Sequence, residues 1–331
     1  MSVTMDDVAK AAGVALSTVS RALSDNPRVS LATREHIQKL AREMGYVPSA
    51  LARGLATKRT FSLGVVVRDI VDPFLAELVR LMDIHALELG YSLILSHSGN
   101  DERRELAAIY LLRQKRVDAI IMPDSSVSDS FLSRVTDHGI PVVLLNRMSY
   151  PYSIGIDNVA SGETAVNHLL DLGHRRIGYI GGLRCKAESD DRQNGYARAL
   201  EKRGLPVDRS LMALGDSWPE GGQVCMRQFL MLVHPPTAVF CFNDLTALGA
   251  IGAIQSAGLR VPQDISVVGF DDIALSSSLY PPLTSIAQDK EQMAKLAVDM
   301  AHALATGKPV SERTILPGRL VVRASTGSAP A

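Results

Sequence analysis

Residues 4–23 read TMDDVAKAAGVALSTVSRAL, and this stretch decides the fold of the amino-terminal part of the chain. Thr4 precedes an apolar run with helical periodicity, and Asp7 stands three residues later, a spacing typical of a capping box that starts a helix. A glycine ends that helix, and a second helix follows after three or four residues. We therefore predict helices over 5–12 and 17–23, in the spacing of a helix-turn-helix.

Ser30 is placed to cap a third predicted helix over 31–44, whose apolar side chains recur at helical intervals. Small apolar side chains from the three helices predict a closely packed core of Val8, Ala12, Val14, Val19, Leu23 and Ile37. The segment 49–57 also favours a helix, but its length of about two turns is too short for a stable isolated helix. We therefore expect this segment to become ordered only with a partner.

Beyond Phe61 the pattern changes to short apolar runs that alternate with longer amphipathic stretches. The apolar runs predict strands over 63–67, 93–95, 119–122, 142–145, 177–180, 238–242, 265–270 and 320–322. Among the longer stretches, the predicted helices include 159–172, 191–203, 245–257 and 290–305. This alternation predicts an α/β fold of two lobes with mostly parallel sheets. The tail 324–331 is expected to be disordered.

Length and composition restrict the class of protein. A chain of 331 residues with 46% apolar and 5% aromatic residues predicts a globular protein of two or more domains. No run of about 18 apolar residues predicts a membrane span, and residues 1–8 do not resemble a signal peptide, so we expect a cytoplasmic protein without membrane contacts. Three widely spaced cysteines predict neither disulfides nor a zinc site: Cys185, Cys225 and Cys241.

Charge is distributed unevenly along the chain, although the formal net charge is zero. Residues 1–60 contain nine Lys and Arg against five Asp and Glu, so the excess of basic residues lies at this end. The amino-terminal part is therefore the candidate for contacts with phosphates. Sequence signatures of hydrolases, P-loop enzymes, dinucleotide-binding enzymes and zinc proteases are lacking, so we expect no enzyme activity, no cofactor and no metal.

Several motifs in order along the chain resemble one family. They are DVAKAAGV at 7–14, STVSRAL at 17–23, VS at 29–30, TR at 33–34, GYVP at 45–48, ARGL at 52–55, LGHRRI at 172–177, ND at 243–244, DISVVGFDD at 264–272 and PPLT at 281–284. Together they resemble the lactose-repressor/purine-repressor (LacI/GalR) family of bacterial transcriptional regulators, over nearly the whole chain. The resemblance implies a three-helix DNA-binding domain over 1–48, a hinge helix and linker over 49–60, and a periplasmic-binding-protein-like domain over 61–325.

The implied effector domain has two lobes that interleave in sequence. We expect the N-lobe to contain about 61–157 plus 288–318, and the C-lobe to contain about 158–287 plus 319–325. Two α/β lobes that face one another form a cleft at the carboxyl ends of their strands, where polar side chains converge on a ligand. The resemblance implies that this cleft binds a sugar, a nucleobase or a similar metabolite.

The resemblance assigns the reading of DNA sequence to Leu16 and Ser17 in the second helix, with Thr18, Arg21 and Ser30 as further candidate contacts. Arg21 is suited to a bidentate contact with guanine in the major groove, and its alternative is a solvated surface charge. The family usually has a serine at position 15, and Ala15 lacks the hydroxyl that would cap the helix and contact a phosphate.

The hinge segment contains a candidate wedge for the minor groove. Leu55 matches the leucine that the family's hinge helix inserts at the operator centre, where an apolar wedge unstacks a base step and kinks the duplex. The alternative for Leu55 is packing on the body of the protein. An effector that changes the spacing of two such hinges would order or melt them.

Eight residues are candidates for effector contacts: Phe74, Asn146, Asp157, Lys186, Glu188, Arg192, Asn243 and Asp271. Arg192 and Asp271 suit charge-assisted hydrogen bonds to ligand hydroxyls, and their alternative is a structural salt bridge. Phe74 would stack on the ligand or belong to the core. Lys186 and Glu188 replace the small neutral residues of many sugar binders, so we hypothesise a charged or highly polar effector such as a sugar acid.

One departure from the family pattern concerns the aromatic residue that often follows Gly-Asp. Here Gly215 and Asp216 are followed by Ser217, and Trp218 stands one place later. This shift puts in doubt whether an aromatic ring contacts the ligand from this position, as it does in the family.

The function implied is a sequence-specific transcriptional regulator, a repressor of catabolic genes whose operator affinity a small metabolite controls. One short recognition helix reads few bases, so we expect a homodimer on a near-palindromic operator. A tail without leucine heptads predicts no tetramerising coil. Two other classes remain: a solute-binding protein of the periplasmic type, and an enzyme on the same scaffold. The three-helix domain over 1–48, which we call the headpiece, and the missing export signal favour the regulator.

Overall fold

The structure is a computed structural model that describes residues 3–46, 59–183 and 187–330. The chain divides into two units, Met1–Phe61 and Ser62–Ala331. In its described part, the smaller unit consists of the three predicted helices, with bounds within one residue of those expected. They are α1 (Met5–Ala12), α2 (Leu16–Leu23) and α3 (Leu31–Glu43).

Local capping determines where these helices begin and end. The backbone N–H of Asp7 donates to Thr4 Oγ1 at 3.3 Å, and the Thr4 N–H donates to the Asp7 carboxylate at 2.9 Å, so the predicted capping box is confirmed. Gly13 ends α1 with φ of 63°, a conformation that favours glycine. Ala15 provides no side-chain cap for α2, whereas Ser30 accepts a hydrogen bond from the Thr33 N–H and caps α3.

All six residues that the sequence predicts for the headpiece core belong to it, to different degrees. Val8, Val19 and Ile37 have no exposed surface. The other three predicted core residues are partly buried and pack against this cluster: Ala12, Val14 and Leu23. The helices therefore cross over a small core of about the expected composition.

The larger unit contains two six-stranded sheets. The first is formed by β1 (Ser62–Val67), β2 (Ser92–His97), β3 (Ala119–Met122), β4 (Val142–Leu145), β5 (Ser153–Ile156) and β11 (Arg313–Leu316). Its strand order is β11-β5-β4-β3-β1-β2, and every pair is parallel. The central strands are continuous apolar runs because both faces of a parallel sheet are covered by helices.

The second sheet is formed by β6 (Ile177–Gly181), β7 (Met212–Leu214), β8 (Ala238–Cys241), β9 (Ser266–Asp271), β10 (Thr284–Ala287) and β12 (Arg319–Val321). Its order is β12-β10-β9-β8-β6-β7. All neighbours are parallel except β10 and β12, which are antiparallel. The fold class predicted from the sequence is confirmed.

Helices cover the sheets of both lobes. Those around the first sheet are α4 (Pro73–Glu88), α5 (Glu102–Gln114), α6 (Asp129–Asp137) and α11 (Lys290–Ala305). Those around the second are α7 (Asn158–Asp171), α8 (Ala187–Lys202), α9 (Pro219–Leu230) and α10 (Asp244–Ser256). Helix α11 follows β10 of the second sheet but packs on α4, β3 and β4 of the first. We call the part around the first sheet the N-lobe and the part around the second sheet the C-lobe.

The chain passes between the sheets at three places: between β5 and α7, between β10 and α11, and between β11 and β12. Four short strands were missed by the sequence prediction, namely β5, β7, β10 and β11. Polar residues interrupt β5, β10 and β11, and β7 has only three residues, so none of them shows the run of four apolar residues that marks β3 and β4.

The expectation that the tail is disordered is wrong for its described residues, 324–330. Ser325 is fully buried, and its hydroxyl donates to the carbonyl oxygen of Val267 at 2.6 Å and accepts from the Thr284 N–H at 2.8 Å. Further along, the Ala329 N–H donates to the Leu172 carbonyl oxygen at 2.9 Å. Small hydroxyls and backbone groups, and not apolar side chains, hold the tail against the C-lobe. Its sequence therefore shows no apolar pattern from which this contact could be predicted.

Candidate functional site

Helix α2 presents a distinct outward face. Leu16 is 48% exposed, and Ser17 and Arg21 are also exposed, whereas Val19 and Ala22 on the opposite face are buried. Thr18 is half-buried between the two faces. A short helix with this division places a leucine, hydroxyls and a guanidinium together on one accessible surface.

The turn after α2 is fixed to α3. The side-chain amide of Gln38 donates to the Ala22 carbonyl oxygen at 3.1 Å and to Asp25 Oδ1 at 2.9 Å. Arg34 pairs with Asp25 at 3.6 Å. Because α3 holds the carboxyl end of α2, the outward face of α2 is presented on a rigid support.

A cavity in the larger unit lies between the two lobes. Its wall includes Arg68, Asp72, Phe74, Asp124 and Asn146 of the N-lobe, Glu188, Arg192, Ser217, Phe242, Asn243 and Asp271 of the C-lobe, and Gln288 of the crossing segment. Most of these residues lie at the carboxyl ends of parallel strands or in the first turn of the helix that follows, where the two series of strand ends converge.

Arg192 is the central cation of the C-lobe wall. Its side chain is 4% exposed, its Nε donates to Asn158 Oδ1 at 2.8 Å, and its Nη1 donates to the Phe242 carbonyl oxygen at 2.6 Å. The guanidinium carbon lies 3.5 Å from the ring centroid of Phe270 and 4.5 Å from that of Phe242. Burial lowers the pKa of Arg192, against the opposing effects of Asp271 and Glu188. The guanidinium is thus held flat between aromatic rings, facing the carboxylates.

Asp271 is the carboxylate that faces Arg192, at 4.0 Å. The side-chain amide of Gln288 donates to Asp271 Oδ1 at 2.7 Å. Burial raises the pKa of Asp271 to about 7, although Arg192 lowers it, and the carboxylates of Asp244 and Asp72 raise it further. The arginine is therefore too distant to compensate the burial of this charge.

The N-lobe wall carries a second buried arginine, Arg68, which sequence reasoning missed. Its Nη2 donates to Asp72 Oδ2 at 2.6 Å, and its Nη1 lies 3.4 Å from Asp124 Oδ2. Burial opposes the charge of Arg68, but Asp124 and Asp72 raise its pKa. Asp72 also caps α4 by accepting from the Phe74 N–H at 3.0 Å, so α4 and the arginine are positioned together.

Structural roles occupy several polar side chains of the C-lobe wall. Asn243 caps α10 by accepting from Thr246, and its amide donates to the Ser217 carbonyl oxygen at 3.0 Å. Asp244, just behind, accepts from the Ile273 N–H at 2.9 Å and from the Ser276 hydroxyl at 2.6 Å. Burial raises the pKa of Asp244 to about 6. These bonds position the loop that follows Asp271.

Three buried polar atoms in the cavity wall have no hydrogen-bond partner among the described residues. They are Arg68 Nε, Asn146 Oδ1 and Gln288 Oε1. Buried polar groups are nearly always paired, so one donor and two acceptors in one wall indicate a site that a polar ligand completes.

The structure brings six of the eight predicted effector residues to the cavity wall: Phe74, Asn146, Glu188, Arg192, Asn243 and Asp271. Asp157 is placed elsewhere, because it is exposed and its carboxylate caps α7 through the Ala160 N–H at 2.9 Å. Lys186, Cys185 and the hinge residue Leu55 lie outside the described residues. Ser30 is exposed, and its hydroxyl caps α3.

The aromatic part of the wall differs from the expected pattern. Phe242 lines the cavity, whereas Trp218 is not among its lining residues. Sequence reasoning missed Phe242 because it reads as the last apolar residue of a core strand. Arg68 and Asp124 could have been predicted as cleft residues from their positions. Each is a charged residue directly or shortly after an apolar strand, at the edge of the sheet where cleft residues are expected.

Asp271→Asn is expected to remove much of the pH dependence of stability. The folded protein holds the proton of Asp271 more tightly than the unfolded chain, whose aspartate has its ordinary pKa of 3.8. The stabilisation is therefore fully present below that value and is lost as the pH rises through about 7, by up to about 1.4 kcal/mol per pH unit. Thermal unfolding midpoints between about pH 5 and pH 8 measure it.

The control is Asp264→Asn, which removes a half-buried carboxylate outside the cavity wall, paired with Arg260 at 3.1 Å. Arg260 lowers the pKa of Asp264, so this group does not titrate in the same range. Melting curves of Asp271→Asn that follow the wild type in parallel across the range would show that Asp271 ionises normally.

Neither a membrane span nor a metal cluster emerges from the described residues. No helix in that part of the chain is long and apolar enough to cross a membrane. Within the same residues, no group of three or more His, Cys, Asp and Glu side chains is arranged to hold a metal ion.

Family models match two parts of the chain. Residues 4–49 match the model for bacterial regulatory proteins of the lacI family, and residues 166–326 match that for a periplasmic binding protein-like domain. Among curated relatives, the HTH-type transcriptional repressor CytR of Escherichia coli K12 is 35% identical, over 99% of this chain and 97% of its own. The repressor PurR of Yersinia pestis bv. Antiqua is 36% identical, over 99% and 98%.

Solved structures resemble the chain along nearly its whole length. A crystal structure of the lac repressor dimer bound to operator and the anti-inducer ONPF matches with a TM-score of 0.89 and 31% identity, covering 99% of this chain and all of that one. A complex of the transcriptional regulator CelR with cellobiose matches with a TM-score of 0.75 and 30% identity, covering 98% and 99%.

These relatives are transcriptional regulators and not enzymes, and the described headpiece and two-lobed unit have the arrangement of secondary structure that the resemblance implied. The chain therefore belongs to the lacI family of bacterial regulatory proteins, and it is a DNA-binding transcriptional regulator with a ligand-binding domain.

Proposed function

We propose that this regulator is a cytoplasmic homodimeric repressor of catabolic genes, whose cleft binds a small polar metabolite and thereby changes operator affinity. The observation that carries the proposal is the cavity wall with its unpartnered polar atoms, in the same chain as a headpiece with an exposed polar face on α2. Each of these two features suits recognition of a separate partner.

The proposed division of labour follows the sequence. Residues 1–48 bind DNA, 49–60 form the hinge, and 61–325 bind the effector and dimerise. Within the last part, residues 61–157 with 288–318 form the N-lobe, and 158–287 with 319–325 form the C-lobe. The two sheets support this division, because β11 joins the first sheet and β12 joins the second.

For DNA, the proposal places α2 in the major groove. Leu16, Ser17 and Arg21 are exposed on one face and reach base edges, and Thr18 and Ser30 lie at positions suited to the backbone. Leu55 is proposed to enter the minor groove. The matched lac repressor structure is a dimer on operator, which supports a dimer on a near-palindromic site here.

For the effector, the proposal names a sugar, a sugar acid or a related polar metabolite. The unpartnered acceptors of Asn146 and Gln288 suit ligand hydroxyls or N–H groups, and the Arg68 Nε–H donor suits a ring or carboxylate oxygen. Phe74 and Phe242 supply apolar faces for a ring. The cellobiose complex of CelR supports a carbohydrate, and no cofactor is part of the proposal.

The test combines a ligand screen with a DNA footprint. Thermal shift assays against neutral pyranoses, the matching uronic acids, nucleosides and nucleobases should find one class that raises the unfolding midpoint, because ligands that bind only the folded state stabilise it. Genome-wide footprinting should find paired half-sites about one helical turn apart or a multiple of that, and the stabilising compound should change their occupancy. Footprints over single half-sites, or occupancy that no stabilising compound alters, would contradict the proposal.

A further inference from the structure

Lys290, the first residue of α11, has a buried ammonium group between the two lobes. Its side chain is 11% exposed, and its Nζ lies 3.1 Å from Glu77 Oε2 on α4. The same Nζ donates to the backbone carbonyl oxygens of Asp272 at 2.7 Å and Asp271 at 3.3 Å. The ammonium group therefore donates to two backbone carbonyl oxygens of the C-lobe and forms an ion pair with one carboxylate of the N-lobe.

The three acceptors belong to different lobes. Glu77 and Lys290 lie on the two N-lobe helices that pack against each other, α4 and α11. Asp271 and Asp272 end β9 and begin the following loop of the C-lobe. The lysine side chain therefore joins the loop that carries a cleft carboxylate to the helix whose first turn carries Asp72 and Phe74 on the opposite cleft wall.

The backbone at this loop is strained and needs support. Asp271 has φ of 103° and Asp272 has φ of 47°, two consecutive residues other than glycine in the left-handed region. Such conformations are unfavourable for residues other than glycine and persist where the surroundings hold them. C-lobe groups hold part of the loop: Ser285 accepts from the Asp272 N–H at 3.2 Å, and Arg323 pairs with the Asp272 carboxylate at 2.7 Å. Lys290 holds the carbonyl side from the N-lobe.

We infer that Lys290 is a positioning residue for the cleft: it fastens the Asp271 loop of the C-lobe to α4 of the N-lobe through Glu77. Separation of the lobes breaks its bonds to one side, so the lysine favours the arrangement in which both walls face the cavity. A ligand that bridges the two walls shifts the equilibrium between separated and facing lobes, and the Lys290 contact already favours the facing state.

Hydrogen–deuterium exchange of the ligand-free protein tests the inference. In Lys290→Met, the amides of Asp272 and Ile273 should exchange about tenfold faster, because local opening of the loop becomes easier. Glu77→Gln should produce a smaller increase, and the double variant should exceed Lys290→Met by little, as expected for residues that act through one contact. Lys290→Arg should restore protection, since it keeps a cationic donor in place.

A second measurement reports on the lobes themselves. Spin labels at two exposed sites, Arg103 on α5 and Glu201 on α8, give the distribution of distances between the lobes by pulsed electron paramagnetic resonance. Lys290→Met should broaden this distribution, and Lys290→Arg should return it to the wild-type form. The matched control is Lys295→Met on the same helix, whose ammonium pairs with Asp299 at the exposed surface at 2.6 Å and should alter neither readout.

The inference is overturned if Lys290→Met leaves both readouts at wild-type values, or if Lys295→Met changes them equally. Should Lys290→Met fail to fold, the comparison of Glu77→Gln with Lys290→Arg decides, and unchanged exchange in Glu77→Gln would again overturn it. Its meaning for effector control rests on the proposed function. Because no effector or DNA enters the experiment, a failed ligand screen and a failed exchange test are separate results.

Discussion

Replacing Arg192 with methionine is expected to abolish the response to effector while the protein still binds its operator. Methionine approximates the length of the side chain but removes the hydrogen bonds to Asn158 and to the Phe242 carbonyl oxygen. It also leaves the buried Asp271 carboxylate without the cation that faces it at 4.0 Å. Loss of a hydrogen bond between the arginine and the ligand costs about 1.5–3 kcal/mol, so effector affinity should fall by about ten- to a hundredfold, as about 1.4 kcal/mol corresponds to a factor of ten, and the response should disappear at effector concentrations that just saturate the wild type.

The measurement is a titration of the stabilising compound from the screen, followed by unfolding midpoint and by operator binding. Arg227→Met on α9 is the control, because that arginine is exposed and remote from the cavity wall. Arg192→Lys provides a second variant, since lysine keeps the positive charge but lacks the planar guanidinium group and its several N–H donors. If Arg192→Met responds to the effector as strongly as the wild type, Arg192 does not contact the effector.

The headpiece was predictable because its signals are local. The capping box of Thr4 and Asp7, the glycine after α1 and the Ser30 cap are each determined by residues within four positions of one another. The central strands of the first sheet were predictable for a related reason. Val142–Leu145 and Ala119–Met122 are unbroken apolar runs, the pattern of parallel strands buried on both faces.

The rest depends on contacts between distant residues. Nothing near Ser325 in the sequence indicates burial, since its partners are Val267 and Thr284 on the C-lobe sheet. Arg68 reads as an isolated charge until the fold brings Asp124 beside it from another strand end. Asp157 follows a strand and is a predicted ligand contact, and the helix that starts there uses its carboxylate as a cap, a role that the local sequence supports equally well.

The two cleft walls share one electrostatic design that no local motif reveals. Each has a buried arginine among carboxylates, Arg68 with Asp72 and Asp124 in the N-lobe and Arg192 with Asp271 in the C-lobe. Carboxylates outnumber arginines in this part of the described wall, and burial together with the nearby carboxylates of Asp244 and Asp72 raises the pKa of Asp271 despite its cation. A ligand rich in hydroxyl or N–H donors compensates such a wall better than one that adds a further anion.

Arg21→Ala should weaken operator binding by on the order of a hundredfold or more. A bidentate contact from arginine to guanine contributes about 1–3 kcal/mol, and a dimer presents the side chain twice. Arg21 is exposed on the outward face of α2, and its removal leaves the buried residues Val19 and Ala22 in place, so the helix should remain folded. Fluorescence anisotropy at one fixed salt concentration measures the affinity, because phosphate contacts vary with salt.

The control for this substitution is Lys39→Ala on α3, which removes an exposed cation that pairs with Glu43 at 3.9 Å. It lowers the net charge of the headpiece by the same amount but leaves the outward face of α2 unchanged. Arg21→Ala should also bind operators with a substituted base pair at one position as well as it binds the parent site, whereas the wild type discriminates. If Arg21→Ala weakens binding to every sequence equally and the preference at each base pair persists, Arg21 contacts a phosphate, and α2 reads the operator through Leu16 and Ser17.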